Sequence, residues 1–333
     1  MDRSTQEQDP FHRLRAGDRG ALARAITLVE SKRPTDRAAA NDLLEKARPF
    51  SGMSIRLGIT GIPGVGKSTL IDALGGLAIA QGHSVAVLAT DPSSQRSGGS
   101  ILGDKTRMET LSRSDKAFIR PSPNSGVLGG VAQHTREVIV LCEAAGHDLI
   151  LVETVGVGQS ELEVDRITDL NLLLMIPGAG DDLQGIKRGI MESADVIVLT
   201  KADGPDGKAH TTARNDLQNA LPFLPLRDSG LRPEILLCDA ITGKGIPELY
   251  QHVKDLYARM EASGYLAQRR QVQEVQGLHS AIREGLIDLL LNDEGTAAEL
   301  KVLESRVRKG ELGATQAAAM VLNKFRTGDA PLP

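Results

Sequence analysis

The feature that most constrains this sequence is a run of nine residues, GIPGVGKST, that matches the pattern G-x-x-x-x-G-K-[ST]. An apolar, strand-like segment, RLGIT, precedes the run, and a helix-like segment, STLIDALGGLA, follows it. In that setting glycines let backbone N–H groups turn inward onto an anion, beside a helix N-terminus that carries partial positive charge. The sequence therefore predicts a phosphate-binding loop, which comprises Gly61, Ile62, Pro63, Gly64, Val65, Gly66, Lys67, Ser68 and Thr69.

Two side chains of this loop have the chemistry that nucleotide hydrolysis needs. Lys67 is expected to reach the β- and γ-phosphate oxygens and to face solvent until phosphate arrives, and the Ser68 hydroxyl is expected to bind Mg²⁺. The ion needs further oxygen ligands, because a small hard cation favours a near-octahedral oxygen shell. Asp91, Asp104 and Glu153 follow strands or loops from which they could complete that shell. Glu153 ends an apolar strand and leads into ETVG, where P-loop folds present their second metal-side acid.

Short apolar runs alternate with helix-length segments between residues 55 and 255. This alternation indicates an α/β fold of the P-loop nucleoside triphosphatase kind, with a mostly parallel sheet and helices on both faces. The predicted strands are Ile55–Thr60, Val85–Thr90, Ala117–Arg120, Leu149–Glu153, Leu170–Ile176, Val196–Thr200 and Ile235–Cys238.

Helical patterns without strands flank this region. Residues 1–50 are predicted to form an N-terminal helical extension, residues 51–264 the P-loop domain and residues 265–333 a C-terminal helical arm. In the extension, Asp18 is placed to cap a helix. The arm has too few apolar positions for a large core, so we expect its apolar face to form an oligomer interface or to cover the sheet. Every nucleotide motif lies upstream, so removal of residues 266–333 should leave nucleotide binding intact and yield monomers.

Composition argues against several classes of partner. The net charge of −4 and the pI of about 6.0 provide no basic surface for nucleic acid. No window approaches 18 consecutive apolar residues, and the charged first residues lack the apolar stretch of a signal peptide, so we expect no membrane association. Cys142 and Cys238 match no metal-ligand spacing and are expected to be buried. A reducing, cytoplasmic location fits these features.

A second motif, TKAD, begins at the last residue of the apolar run VIVLT and continues beyond it. G-proteins recognise guanine at this point with [NT]-K-x-D: the lysine stem lies on the base, and the carboxylate accepts hydrogen bonds from N1–H and the exocyclic amine. Adenine lacks these donors, so it would leave the carboxylate without hydrogen-bond partners. A site built on such pairing can favour guanine over adenine by about 10⁴-fold or more. Thr200, Lys201 and Asp203 are therefore predicted to bind the guanine of GTP or GDP.

One strand further on, the segment CDAITGKG is similar to the S-A-x-x-G-x-G loop that offers a backbone N–H to guanine O6. Ala240 is the residue expected to supply this N–H. Asp239 stands where Ser or Thr is usual, and the sequence leaves its role open.

Longer stretches carry a resemblance to a known family. The segments LATDPSSQRSGGSILGDKTRM, FIRPSPNSGVLGGVA and MIPGAGDDLQGIKRGIMESADVIVLTKAD resemble the MeaB/ArgK family of G-proteins, which are GTPase chaperones of adenosylcobalamin-dependent methylmalonyl-CoA mutase. The resemblance is nearly continuous over residues 55–203. Its DPSS, RPSP and GAGDDLQGIK elements are far more specific than a phosphate loop.

The resemblance implies a homodimer that binds methylmalonyl-CoA mutase or a related acyl-CoA mutase and gates cofactor loading and rescue. It implies slow GTP hydrolysis alone and faster hydrolysis in the complex. Switch roles are implied for the loops around Asp91–Arg107 and Glu153–Glu161, and for a third loop, Gly178–Lys187. Lys187 is the group that the family couples to partner-stimulated hydrolysis. Lys67, Glu153 and Lys187 are therefore the predicted catalytic residues.

Two other functions stay open at this point. A P-loop small-molecule kinase shares the phosphate-loop pattern, although TKAD favours a guanine-dependent switch and no arginine-rich lid is evident. A metallochaperone related to nickel-insertion G-proteins would usually show His or Cys clusters, whereas the seven histidines here are scattered.

Overall fold

The structure is a computed structural model that describes residues 9–31, 33–91, 108–123, 130–154, 160–177, 188–202 and 207–327. The chain forms two compact units, Met1–Gln273 and Glu274–Pro333. No helix among the described residues combines the length and the apolar character needed to cross a membrane.

The first unit contains the sheet. Its strands are β1 (Ile55–Gly61), β2 (Val85–Asp91), β3 (Ala117–Pro123), β4 (Leu149–Glu153), β5 (Leu170–Met175), β6 (Val196–Leu199) and β7 (Glu234–Leu237). Its helices are α1 (Pro10–Arg15), α2 (Arg19–Val29), α3 (Pro34–Ala47), α4 (Lys67–Ala80), α5 (Glu109–Ser112), α6 (Gly130–Ala144), α7 (Ser160–Asp165), α8 (Arg188–Ser193), α9 (Gly207–Ala220) and α10 (Ile246–Ala262). A longer helix, α11 (Tyr265–Asn292), begins in this unit.

The strands form one sheet in the order β3-β2-β4-β1-β5-β6-β7, and every pairing among the described strands is parallel. The central strand, β1, pairs with β4 on one side and β5 on the other. The loops after these three strands therefore leave the sheet at the same carboxyl edge, which is where ligands bind in open α/β sheets. This sheet confirms the predicted fold class.

Each predicted strand is present, and its bounds differ from the prediction by three residues at most. The largest difference is in β3, which continues past Arg120 to Pro123. An edge strand tolerates prolines, because one side of it makes no ladder hydrogen bonds, and β3 lies at the edge of the sheet. On the other side of β1, β6 stops at Leu199, so Thr200 lies just beyond the strand.

Helices cover both faces of the sheet because strand residues alternate in direction. In β4, Leu149 and Leu151 pack against α4 and α10, whereas Ile150 and Val152 pack against α2, α3 and α6. The N-terminal helices thus share a core with the sheet. Asp18 caps α2, since its carboxylate accepts hydrogen bonds from the next two helical N–H groups at 2.8 and 3.0 Å, which confirms the predicted cap.

Charged side chains at the start of α11 bind the opposite, amino edge of the sheet. Arg270 pairs with the fully buried carboxylate of Asp169 at 2.7 Å. Arg269 donates to Asp165 Oδ1 at 2.8 Å, and Gln273 Nε2 donates to the Asp165 carbonyl at 3.1 Å. The first turns of α11 are therefore an integral part of the first unit.

The second unit is wholly helical in its described residues. The helices α12 (Glu294–Arg308) and α13 (Ala314–Thr327) share a small core around Leu303, Ala317 and Val321. Gly295 lies in the first turn of α12. The α11 segment of this unit exposes about half of each of several apolar side chains, namely Val275, Leu278, Ile282, Leu286 and Leu289.

Candidate nucleotide-binding site

The loop between β1 and α4 has the backbone that a phosphate cradle requires. Gly61, Gly64 and Gly66 all have positive φ, at 146°, 80° and 104°. A Cβ on Gly61 would lie 2.7 Å from the Leu174 carbonyl oxygen of β5, so only glycine fits there. Gly66 is the N-cap of α4, so the loop delivers its backbone to the N-terminus of a helix of 14 residues. Backbone N–H groups in this position favour an anion.

Lys67 does not face solvent, which corrects the expectation from sequence. The side chain is buried, and Nζ donates hydrogen bonds to the carbonyl oxygens of Gly61 at 2.8 Å and Ile62 at 3.2 Å. The physical reason is that the curled loop turns carbonyls as well as N–H groups toward its centre, and an ammonium group binds them. The cation is thus held at the centre of the loop.

Ser68 and Glu153 come together although they are far apart in the sequence. The Ser68 hydroxyl donates to Glu153 Oε1 at 3.0 Å, and the Glu153 side chain is buried at the end of β4. A hydroxyl and a carboxylate at this separation are hard oxygen ligands, and Mg²⁺ prefers such ligands together with phosphate oxygens and water. The described residues contain no group of three or more His, Cys, Asp or Glu that could hold a metal by themselves. The donor set therefore fits an ion bound jointly with phosphates.

Thr200 connects the end of β6 to the phosphate loop. Its hydroxyl donates to the Val65 carbonyl at 2.9 Å, and its backbone N–H donates to the Met175 carbonyl at 2.9 Å. Lys201 follows with φ of 61°. No other non-glycine residue in the described part of the chain has a positive φ. Its Nζ lies 3.4 Å from the Gly64 carbonyl oxygen. A left-handed lysine costs about 1–2 kcal/mol, so the surrounding contacts must hold this turn.

Asp239 has a role that the sequence left open. Its Oδ1 accepts hydrogen bonds from the backbone N–H groups of Ile241 at 3.0 Å and Thr242 at 2.9 Å, which is the geometry of an Asx turn. Its own N–H donates to the Lys244 carbonyl at 2.9 Å. The carboxylate therefore shapes the loop that contains Ala240, and an Asp before a glycine-containing loop is a signal from which this turn could have been predicted.

The same loop is closed by contacts at its far end. Cys238 Sγ lies 3.2 Å from the Gly245 carbonyl oxygen, and Gly245 has φ of 74°. A Cβ on Gly245 would lie 2.2 Å from the Leu237 carbonyl oxygen, so no larger residue fits. Burial raises the pKa of Cys238 to about 12, which keeps the thiol protonated. Cys142 is likewise buried and unpaired with another cysteine, as expected.

Four of the predicted site residues are not placed in full. Asp104, Asp203 and Lys187 lie outside the described residues. Asp91 ends β2 at the same edge as Glu153, and its side chain is outside the described atoms. Their assignments therefore stay predictions.

The described site residues lie along one edge of the sheet. The phosphate loop follows β1, Glu153 ends β4, Thr200 and Lys201 follow β6, and Asp239 and Ala240 follow β7. Because neighbouring strands are about 4.8 Å apart, the span from β4 to β7 suits a molecule with a phosphate end and a base end. The arrangement can hold an anion at β1 and a flat heterocycle at β6 and β7.

Comparisons with known proteins agree with this geometry. The family model described as "Methylmalonyl Co-A mutase-associated GTPase MeaB" matches residues 22–295. A putative GTPase of Caulobacter vibrioides is 50% identical over 314 residues, which are 94% of this chain and 96% of the relative. The methylmalonic aciduria type A homolog of Mus musculus is 42% identical over 93% of this chain and 77% of its own length.

Among solved structures, one described as LAO/AO transport system kinase aligns with a TM-score of 0.73. It is 37% identical and the alignment covers 98% of this chain and 99% of that chain. The likeness therefore includes both the sheet and the helical segments that flank it.

Proposed function

The chain belongs to the MeaB family of methylmalonyl-CoA mutase-associated GTPases, and from this membership we propose that it is a G-protein chaperone of a cobalamin-dependent acyl-CoA mutase. The protein is a GTPase, as its relatives are. In the proposed role, GTP hydrolysis gates the loading of adenosylcobalamin into methylmalonyl-CoA mutase or a related mutase, and protects the loaded enzyme. The observation that carries the proposal is the extent of the family match, from residue 22 to residue 295, which far exceeds the phosphate loop.

The phosphate chemistry is assigned to the β1–α4 loop and Glu153. Backbone N–H groups of the residues from Gly64 to Thr69 bind the phosphate oxygens, and Lys67 neutralises charge on the β- and γ-phosphates. Lys67 already lies inside the loop, so little side-chain freedom is lost when the triphosphate binds. Glu153, at the end of β4, orients the Ser68 hydroxyl toward the phosphate side.

Mg²⁺ is the proposed metal cofactor, and Ser68, Glu153, Asp91 and Asp104 are its proposed protein ligands or ligand-orienting groups. When bound, the ion supplies charge neutralisation on the β- and γ-phosphate oxygens. Support comes from the 3.0 Å contact between Ser68 and Glu153, which places two oxygen donors beside the loop.

The base is proposed to lie against the TKAD turn and the following loop. The Lys201 stem covers the heterocycle, Asp203 accepts from N1–H and the exocyclic amine, and the Ala240 N–H donates to O6. The contacts of Thr200 with the phosphate loop support this assignment, because they fix the distance between the base turn and the phosphates.

Two further parts of the proposal concern assembly. The arm at residues 265–333 forms a homodimer, which is supported by the exposed apolar stripe of the α11 segment in the second unit. The division into an N-terminal extension, a P-loop domain and an arm, at residues 50 and 264, is part of the same proposal, with the dimer-forming part of the arm beyond Gln273. Each copy then presents its sheet edge to the mutase.

Partner-stimulated hydrolysis provides the test. GTP hydrolysis is measured in steady state with and without a candidate mutase, for the wild type and for Lys187→Ala. The proposal expects the mutase to accelerate phosphate release, and the Lys187→Ala variant to keep its slow basal rate and lose most of the acceleration, since a well-placed cation in a P-loop enzyme contributes about 10³–10⁵-fold.

Lys208→Ala is the matched control, because Lys208 is an exposed lysine on α9. It should be stimulated like the wild type. If no cobalamin-dependent mutase from the same cell binds the protein or changes its rate of GTP hydrolysis, the chaperone role is wrong. Equal stimulation of the Lys187→Ala and Lys208→Ala variants would contradict only the role proposed for Lys187.

A small-molecule kinase is the second candidate function, because a structural relative is described as a transport system kinase. Incubation with GTP and candidate acceptors separates the two activities. Release of inorganic phosphate in equal amount to GDP supports hydrolysis, whereas a phosphorylated acceptor would support transfer.

A further inference from the structure

A buried histidine outside every nucleotide motif contacts the base turn. His210 lies in the first turn of α9, and its Nε2 is 3.0 Å from the carbonyl oxygen of Thr200. A carbonyl oxygen can only accept a hydrogen bond, so His210 Nε2 carries the proton. The ring therefore acts as a fixed donor toward the backbone of the TKAD segment.

This hydrogen bond acts on the peptide plane that joins Thr200 to Lys201. Because the peptide group is planar, a donor that holds its carbonyl oxygen also restricts the torsions on either side of it. One of these torsions is the φ of Lys201, which is 61°. Lysine rarely adopts this left-handed conformation unless its surroundings impose it.

The other described contacts of the turn come from the strand ends and the phosphate loop. Thr200 is bound to the Val65 and Met175 carbonyls, and the Ala202 N–H donates to the Cys238 carbonyl at 3.3 Å. His210 supplies the contact from the helical layer. It can be changed without altering a group that is assigned to the nucleotide.

We propose that His210 is a positioning residue of the base site and sets how strongly the protein prefers guanine. Its hydrogen bond to the Thr200 carbonyl holds the left-handed Lys201, and this conformation places the lysine stem against the base. The inference rests on the proposed base site. It predicts that the loss falls on base recognition, because the hydrogen bond of His210 is made to the base turn.

A purely structural role for His210 makes a different prediction. A buried histidine that only fills space can be replaced by an apolar side chain of similar size with little effect on selectivity. Two substitutions separate these roles: His210→Gln keeps an amide N–H that can reach the same carbonyl, and His210→Leu keeps volume without a donor.

The experiment uses the full-length protein and measures the dissociation constants of GDP and ADP by titration, and kcat and KM for GTP. We expect His210→Leu to weaken GDP binding by about three- to tenfold, the effect of one lost hydrogen bond. The ratio of ADP to GDP dissociation constants should fall by the same factor, while kcat at saturating GTP stays within about twofold of wild type. His210→Gln should restore most of the GDP affinity.

His252→Leu is the matched control. His252 is a second, mostly buried histidine, on α10, and its Nδ1 lies 3.5 Å from Glu234 at the amino end of β7. The change removes an imidazole of similar burial away from the base turn, so the nucleotide constants should not change. If His210→Leu does not fold, as judged by circular dichroism, His210→Asn replaces it, because the shorter amide cannot reach the Thr200 carbonyl.

The outcomes are distinct. Wild-type GDP affinity in His210→Leu, or equal losses in the Leu and Gln variants, would overturn the proposed hydrogen-bond role. A fall in kcat with unchanged nucleotide ratios would also overturn it. Asp203→Asn serves as the test of the base site itself: it should exchange guanine for xanthine preference, and if it does not, the base-site assignment has failed independently of His210.

Discussion

Several side chains in the site bind backbone groups of their own loops. Lys67 binds two carbonyls of its own loop, and Asp239 binds two N–H groups of the loop after β7. Both loops contain left-handed glycines, so their backbones have many alternative conformations when free. Side-chain contacts of this kind reduce those alternatives before the nucleotide arrives. A single substitution can then change binding without removing any atom that touches GTP.

The first prediction concerns Lys67→Ala. The variant should lose nearly all nucleotide affinity, because the phosphate charge is no longer compensated. It should also lose about 1–2 kcal/mol of stability through the missing hydrogen bonds to Gly61 and Ile62. Nucleotide titration and thermal unfolding followed by circular dichroism measure the two effects.

Lys116→Ala is the control for that variant, because Lys116 is an exposed lysine whose Nζ also approaches a glycine carbonyl, that of Gly82 at 3.4 Å. It should bind nucleotide normally and unfold at the wild-type temperature. Wild-type affinity in Lys67→Ala would remove the proposed phosphate site.

The second prediction compares Asp239→Ala with Asp239→Asn. The asparagine retains an oxygen that can accept from the Ile241 and Thr242 N–H groups, so it should bind GDP almost normally. Alanine leaves both donors without that acceptor and should weaken GDP binding by about tenfold. Isothermal titration with GDP decides between them, and equal affinities of the two variants would contradict the Asx-turn role.

The sequence was sufficient to predict the phosphate loop but not these supporting contacts. The loop pattern is local, because eight consecutive residues, from Gly61 to Ser68, specify it. The contact between His210 and Thr200 depends on where α9 packs, and the burial of Lys67 depends on the direction of loop carbonyls. Neither follows from residue type and spacing alone, because both arise from three-dimensional packing.

At the scale of elements, α11 has two different environments along its length. Its first turns place Leu266 in the sheet core and bind Asp165 and Asp169 through Arg269 and Arg270. The segment beyond Gln273 belongs to the second unit and exposes an apolar stripe. The helix therefore begins as part of the P-loop unit, and a cut at residue 266 would remove part of that unit.

This observation changes the expectation for removal of the arm. A chain that ends at Gln273 should bind GDP like the wild type and be monomeric, because it keeps Arg269 and Arg270. A chain that lacks residues 266–333 should be less stable by at least about 3 kcal/mol, since the buried Asp169 would lose its charged partner. Light scattering and denaturant unfolding of both chains provide the check. Equal stability would show that the contacts of α11 contribute nothing.

The strands were predictable for a physical reason, and their order was not. Parallel strands are buried on both faces, so each one is a continuous apolar run, as in LILVE of β4. The order of strands depends on pairings between distant segments, such as β1 with β4 and β5, and periodicity does not encode it. The end of β3 was predicted three residues too early, because its prolines are compatible with a strand only at the edge of the sheet.

At the scale of the whole molecule, ion pairs fix the amino edge of the sheet, on the side away from the proposed nucleotide site. Arg56 forms two hydrogen bonds of 3.0 Å with the carboxylate of Glu143, which is almost fully buried. Burial alone would raise the pKa of Glu143, but Arg56 and hydrogen bonds from Ser54 and Gly52 outweigh burial and lower it. The pKa of Asp165 is also lowered, since Arg269 and Arg227 outweigh its burial.

These shifts predict how stability depends on pH. A carboxylate whose pKa is lowered in the folded state stabilises the protein at pH values above its ordinary pKa, which is 4.5 for Glu143. This contribution is lost as the pH falls through the folded-state pKa. Unfolding should therefore become easier below pH 4.5. Glu143→Gln should destabilise the protein by about 3 kcal/mol at pH 7, and the difference from wild type should narrow at pH 3.

Asp42→Asn is the control, because Asp42 forms an exposed pair with Lys46, and exposed pairs contribute about 0–1 kcal/mol. Denaturant unfolding at several pH values measures all three proteins. A Glu143→Gln difference that is constant from pH 7 to pH 3 would contradict the assignment.

The central position of β1 also has a consequence for biosynthesis. The strand that precedes the phosphate loop is made early, but its partners β4 and β5 begin only about 90 and about 110 residues later. At about 5–20 residues per second, this apolar strand waits on the order of ten seconds without its sheet neighbours. The helices that precede β1 in the chain pack on β2, β3 and β4, so they do not cover β1 during this time. Chaperone binding to nascent chains should therefore be strongest while residues 60–150 are being translated, and should decline once β5 has emerged.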